Sequence, residues 1–178
     1  MAKVKTTRFG EIEVKDKDIV QLPNGLIGFP ELKQYVILDH DDKSPFKWLQ
    51  SLDDGSIAFV LINPLLFKPD YTVEVNEAEV ADLEIKDEKD AVISVIVTMP
   101  SNPQNMTANL KAPLVFNLKN RKGRQIILNN QEYTTRHNIL EEVKKRANEV
   151  DSQVIQEVIE KAKDAVATET ETKEAKKK

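Results

Sequence analysis

Between Lys3 and Leu128 the apolar positions fall in short runs broken by Gly, Pro, Asn and Asp, the pattern of brief strands joined by turns. Val4–Phe9 and Glu11–Val14 flank Gly10 and predict a hairpin. Ile19–Leu22, Tyr35–Leu38 and Phe46–Leu52 follow, the last ending at the turn Asp53-Asp54-Gly55. Ala58–Ile62 is wholly apolar and stops at Asn63-Pro64. Tyr71–Val75 alternates apolar and polar residues, which predicts a strand with one buried and one wet face. Val92–Met99 is rich in β-branched residues and ends at Pro100; Leu114–Leu118 and Gln125–Leu128 flank a basic turn at Asn120–Arg124. Glu77–Leu83 predicts one or two helical turns. This sequence of short strands favours a small antiparallel β-barrel-like or sandwich domain over a parallel α/β sheet.

The pattern changes after Asn138. Ile139–Arg146 and Asp151–Val166 contain helix formers and neither Gly nor Pro. Val150, Val154, Ile155, Val158, Ile159 and Ala162 recur at steps of three and four, an apolar stripe that either packs on the chain's own barrel or self-associates. Thr168–Lys178 is polar and repetitive, a composition expected to be disordered. The expected division is a mainly β domain at 1–138, an appended α-helical tail at 139–167 and a disordered tail at 168–178.

Pro23-Asn24-Gly25-Leu26-Ile27-Gly28-Phe29-Pro30 concentrates turn formers and large apolar groups in one loop. A plain linker would be polar there, so the loop is expected to be pinned to a core through Leu26 and Phe29, with Ile27 as a partner-facing candidate.

Composition narrows the chemistry. The chain has no cysteine, which excludes disulfides and thiolate metal sites, and its net charge is −4. The apolar runs are far shorter than a membrane span and the first residues lack a signal pattern, so a soluble cytoplasmic protein is expected. His40-Asp41-Asp42 matches no metal-binding spacing and reads as a polar surface loop. No phosphate loop or nucleophile elbow is present, and neither an enzyme nor a cofactor is expected. Phe46 and Trp48 lie on one side of their strand and read as core.

Two charged stretches remain. Asp70–Asp90 holds nine carboxylates against Lys86 and Lys89, either a solvated face or a docking surface for a basic partner. Lys111, Lys119, Arg121, Lys122, Arg124 and Arg136 form a basic stretch. It has few aromatics for stacking, so direct nucleic-acid binding is not expected. A dipolar molecule suited to protein docking is expected instead.

Several stretches, taken in order, resemble the FliW family of flagellar assembly factors. They are Thr7–Val14, Leu22–Pro30, Phe46–Asp53, Ala58–Pro64, Val97–Pro100, Asn109–Val115 and Arg124–Leu128. The resemblance covers roughly residues 6–140 and fades into the helical tail. It implies a β-barrel-like fold and a non-enzymatic binding role in the cytoplasm, with flagellin and the translational repressor CsrA as partners. When flagellin is secreted, the freed factor binds the repressor away from its RNA surface, and flagellin messenger RNA is translated again. An RNA-binding repressor is basic, so Glu74, Glu77, Glu79, Asp82 and Glu84 are the residues assigned to it. Flagellin, with amphipathic terminal segments, is assigned to an apolar surface drawn from Ile27, Leu65, Phe67 and Met99. These assignments rest on side-chain chemistry rather than on family contacts, and a monomer is expected in the free state. The alternative reading is a small-molecule-binding barrel or a hydrolase, which should show an enclosed apolar pocket with converging polar groups.

Overall fold

The computed structural model describes residues 1–146, 158–161 and 163. Eleven short strands, two α-helices and a further helical stretch at 158–161 appear among them. Strands β1 (Ala2–Thr6) and β2 (Gly10–Val14) form the expected hairpin, with Gly10 at a positive φ of 69°. The main sheet contains β3 (Ile19–Gln21), β4 (Gln34–Asp39), β5 (Lys47–Ser51), β6 (Ala58–Ile62), β7 (Ala91–Thr98), β9 (Leu114–Asn117) and β10 (Gly123–Gln125). Their order is β10-β9-β7-β6-β5-β4-β3, antiparallel at every step. Along the edge away from β6, β7 serves two partners: its first half pairs β9, and its end pairs the two-residue β8 (Thr107–Ala108). β8 in turn pairs β11 (His137–Asn138).

The two edges of this sheet meet. The Gln21 amide donates to the Arg121 carbonyl at 2.8 Å, and Gln21 bridges Lys122 in parallel. The sheet is thereby a barrel, and its side chains separate into an inner and an outer set. Val20, Tyr35, Leu49, Leu61, Leu114 and Phe116 form one buried cluster, the filling of the barrel. The alternate residues Trp48, Val60, Ile62, Val95, Val97 and Val115 point the other way, into a larger cluster with Phe46, Phe67, Tyr71, Leu83, Met106, Tyr133 and Ile139. Burial on both faces explains why β6 is a continuous apolar run rather than an alternating one.

The helices close the outer layer. Asn76 caps α1 (Glu77–Val80), and Glu79 returns a bond to the Asn76 amide at 3.0 Å, a complete capping box. A 3₁₀ turn at Ala81–Leu83 continues it and buries Leu83. Asn138 caps α2 (Ile139–Lys145), which buries Ile139, Leu140 and Val143.

Two strand expectations shift. Tyr71–Val75 keeps its alternating burial but joins no ladder, and two phenols tie it down instead. The Thr72 amide donates to the Tyr133 hydroxyl at 3.0 Å, and Tyr71 donates from its hydroxyl to the Leu110 carbonyl at 2.8 Å. The strand expected at Gln125–Leu128 begins instead at Gly123, since Arg121, at a φ of 58°, turns the chain early. The stripe residues Val150, Val154, Ile155 and Ala162 and the polar tail lie outside the described residues. Val158 is buried and Ile159 half-buried on a helical segment. Among the described residues no helix is long and apolar enough to cross a membrane.

Candidate docking surfaces

Nothing in this fold gathers three His, Asp or Glu side chains around a point that could hold a metal, among the described residues. His40 accepts a bond at Nδ1 from the Trp48 indole at 3.3 Å. His137 pairs with Glu142 at 3.0 Å, 97 residues away in the chain from His40. Burial pushes the Glu142 carboxyl up, but the His137 bond, the Lys68 charge and the Arg146 bond together hold it below the ordinary carboxylate range. This partly buried network, centred on Glu142, fastens α2 to the segment at Lys68. Most of the residues that the sequence singles out for partners lie instead on charged and apolar surfaces.

The acidic stretch is one such surface, and the structure corrects its expected separation from the basic one. The turn that carries Lys119, Lys122 and Arg124 folds directly against it. Arg124 pairs with Asp82 at 3.2 Å, Lys122 with Glu84 at 3.4 Å and Lys119 with Asp90 at 2.7 Å. Asn120 adds a bond to the Leu83 carbonyl at 3.0 Å, and Glu84 caps the turn in left-handed backbone. Asp70 pairs with Lys68 and Arg146. The molecule is less dipolar than its sequence suggests. Glu79 serves the capping box. Glu74, Glu77 and Glu88 are exposed and, among the described residues, have no cationic or hydrogen-bonding partner. Glu74 also lines a shallow groove of about 220 Å³ with Thr72, Leu128, Asn129 and Asn130. A ledge of uncompensated charge thus survives at the Glu74–Glu77 end.

The apolar candidates divide just as sharply. Phe67 is 2% exposed and stacks on His137, so it is removed from the docking surface and assigned to the core. Met99 is half-buried against the same core. Leu65 and Leu66 remain about half exposed on the 3₁₀ turn after Asn63. Leu66 shares a small cavity of about 220 Å³ with Pro45 and Val158, and Lys161 beside it pairs with Asp41 at 3.7 Å. Val158 and Lys161 therefore already stand beside the Leu66 side of this patch.

The Pro23–Pro30 loop behaves as expected. Leu22 and Leu26 are buried in the barrel filling, and Phe29 packs edge-on against Phe59 at 5.3 Å. Leu26 and Phe29 exchange backbone bonds, and Gly25, at a φ of 64°, lies so close that a Cβ there would sit 2.5 Å from the Phe29 carbonyl oxygen. Ile27 is 57% exposed, with its amide held by the Gln125 side chain at 2.8 Å. That clasp brings in a residue the sequence reading missed. Ile127, 61% exposed, stands two residues beyond Gln125, and the available signal was an apolar residue between buried Ile126 and Leu128.

The other end of the barrel is open. Ile37, Leu61, Val92, Ser94, Phe116 and Leu118 line a bowl of about 400 Å³, with Asp39, Lys47 and Arg121 at its rim.

The comparisons with known proteins agree with this architecture. The profile described as FliW protein matches residues 3–139. The chain is 47% identical over 143 residues to the flagellar assembly factor FliW of Alkaliphilus metalliredigens, covering 80% of this chain and 88% of that protein. It is 46% identical over 142 residues to the protein of the same name from Thermoanaerobacter pseudethanolicus, covering 79% and 95%. A crystal structure of the flagellar assembly factor FliW superposes with a TM-score of 0.73 at 38% identity, covering 78% of this chain and 96% of that one. With its closed barrel, buried signature loop and match across most of its length, the chain belongs to the FliW family of flagellar assembly factors, a non-enzymatic family.

Proposed function

We propose that this assembly factor works in the cytoplasm by exchanging two protein partners, flagellin and the translational repressor CsrA. The observation that carries the reading is the ledge at Glu74 and Glu77, whose charge survives after the basic turn has neutralised Asp82, Glu84 and Asp90. A basic RNA-binding protein is steered to such a ledge, and RNA phosphates near it are repelled. Inhibition of the repressor then needs no overlap with its RNA surface. Asp82 and Glu84 contribute less than the sequence suggests, because each already has a cation beside it.

Flagellin occupies an apolar surface in this reading. Ile27 and Leu65, both substantially exposed, are its candidate contacts, whereas Phe67 supports the patch from below. The free protein acts as a monomer, and the helical extension 139–167 and polar tail 168–178 are additions to the barrel domain.

The test is the double variant Glu74→Lys/Glu77→Lys in the full chain, titrated with purified CsrA at low and at physiological salt. Binding should weaken by about tenfold or more, with the loss largest at low salt. RNA release from the repressor should fail in parallel, while flagellin capture is retained. Unchanged repressor affinity together with unchanged RNA release would sink the ledge as the repressor site.

A further inference from the structure

We infer that the open end of the barrel is a separate docking site, for a protein segment that presents apolar side chains next to a carboxylate. The reasoning starts from the inner row of the barrel. Its residues Ile37, Leu61 and Phe116 floor a bowl of about 400 Å³, within the range of sites that hold a ligand or several side chains. At the opposite end the same inner row is covered by Leu22, Leu26 and Phe29. No equivalent covers the floor here among the described residues; instead Val92 and Leu118 stand at the edge, 36% and 49% exposed.

The rim fixes the charge of the occupant. Asp39 and Lys47 pair with each other across neighbouring strands and cancel. Arg121 is exposed and has no ion pair or hydrogen bond from its side chain among the described residues. Its neighbours Lys119, Lys122 and Arg124 are all engaged by carboxylates of the acidic stretch. Arg121 escapes that pairing because its positive φ, with the amide bonded to the Asn117 carbonyl at 2.9 Å, makes it the odd member of the turn. The Ser94 hydroxyl, half-buried within the bowl, has no hydrogen-bond partner among the described residues and can take a second polar group. An apolar bowl with one free guanidinium at its lip matches apolar side chains flanked by a carboxylate, and an Arg beside a pocket has the character of an interface anchor. The bowl is open rather than enclosed, which suits side chains projecting from a larger protein. This site stands whether or not the acidic ledge is the repressor surface.

Two synthetic peptides serve as probes for the full-length, isotopically labelled chain: acetyl-Leu-Glu-Leu-Leu-amide and its counterpart with Lys in place of Glu. NMR titration should show saturable shifts of the Val92, Ser94, Leu118 and Arg121 amides with the acidic peptide, and about tenfold weaker binding of the basic one. Arg121→Glu should invert that preference with an unchanged thermal midpoint, since the side chain is exposed. Leu118→Ser should weaken both peptides. The proposal is overturned if neither peptide gives saturable shifts at the mouth, if both bind alike, or if Arg121→Glu leaves the preference in place. Decanoate binding at the mouth where the peptides fail would also overturn it, in favour of a small amphiphile.

Discussion

The two ends of the barrel are built from the same strands and end differently. At one, the Leu22–Leu32 loop turns back through Gly25 and seats Leu22, Leu26 and Phe29 on the inner row. At the other, the turn after β9 places Leu118 and Arg121 at the rim and leaves Ile37, Leu61 and Phe116 facing a bowl. The wall therefore does not decide whether a barrel end is core or surface. The connecting loops do, through where their few large apolar residues land. The contrast also separates stability from recognition: residues of the closed end hold the fold, and residues of the open end are free to meet something else.

Leu26→Ala tests the closed end most severely. It should cost about 2–5 kcal/mol, the range for emptying a buried leucine site, with a fall of roughly 2–4 °C in melting temperature for each kcal/mol. Gly25→Ala should follow at about 1–3 kcal/mol, since left-handed backbone and the Phe29 carbonyl oppose a Cβ together. Glu142→Gln gives a measure outside both ends and should cost about 1–3 kcal/mol at neutral pH. Because folding lowers the Glu142 pKa, its contribution is complete above the ordinary carboxylate range and is lost as pH falls through the folded value. Denaturant melts of the wild type and Glu142→Gln should therefore converge in acid, and a gap that widened there would contradict the network. Leu118→Ala should be smallest, within about 0.5 kcal/mol. A Leu118→Ala cost as large as that of Leu26→Ala would break the comparison, because the open end would then be core as well.

Much of this could be read from residue order. β6 matches the run Ala58–Ile62, and the hairpin about Gly10 and the helical turns at Glu77–Leu83 stand where periodicity places them. Local signals failed where the deciding partner is distant. Tyr71–Val75 has the alternation of a strand, yet Tyr133, some 60 residues on, takes its backbone bond. β8 and β11 are two residues each and exist only because β7 outlasts β9. The charged stretches were legible as charge but not as geometry: nothing local in Asn120–Arg124 says that it folds onto Asp82–Asp90. Phe67 was misplaced because an apolar triplet after a proline does not disclose which of its three members faces inward.

The seam between Gln21 and Lys122 also has a consequence for how the molecule is made. It joins residues roughly 100 positions apart, a long-range contact of the kind that slows folding. On the ribosome, β3 and β4 emerge early and must wait with an unpaired edge until β10 has been synthesised. The Gln125 side chain that grips the Ile27 amide is completed at the same moment, so seam and clasp lock together. A nascent chain that ends before Arg121 lacks both the last wall strand and the seam residues that close the interior. For this protein, the barrel can close only once Arg121–Gln125 is free to reach Gln21.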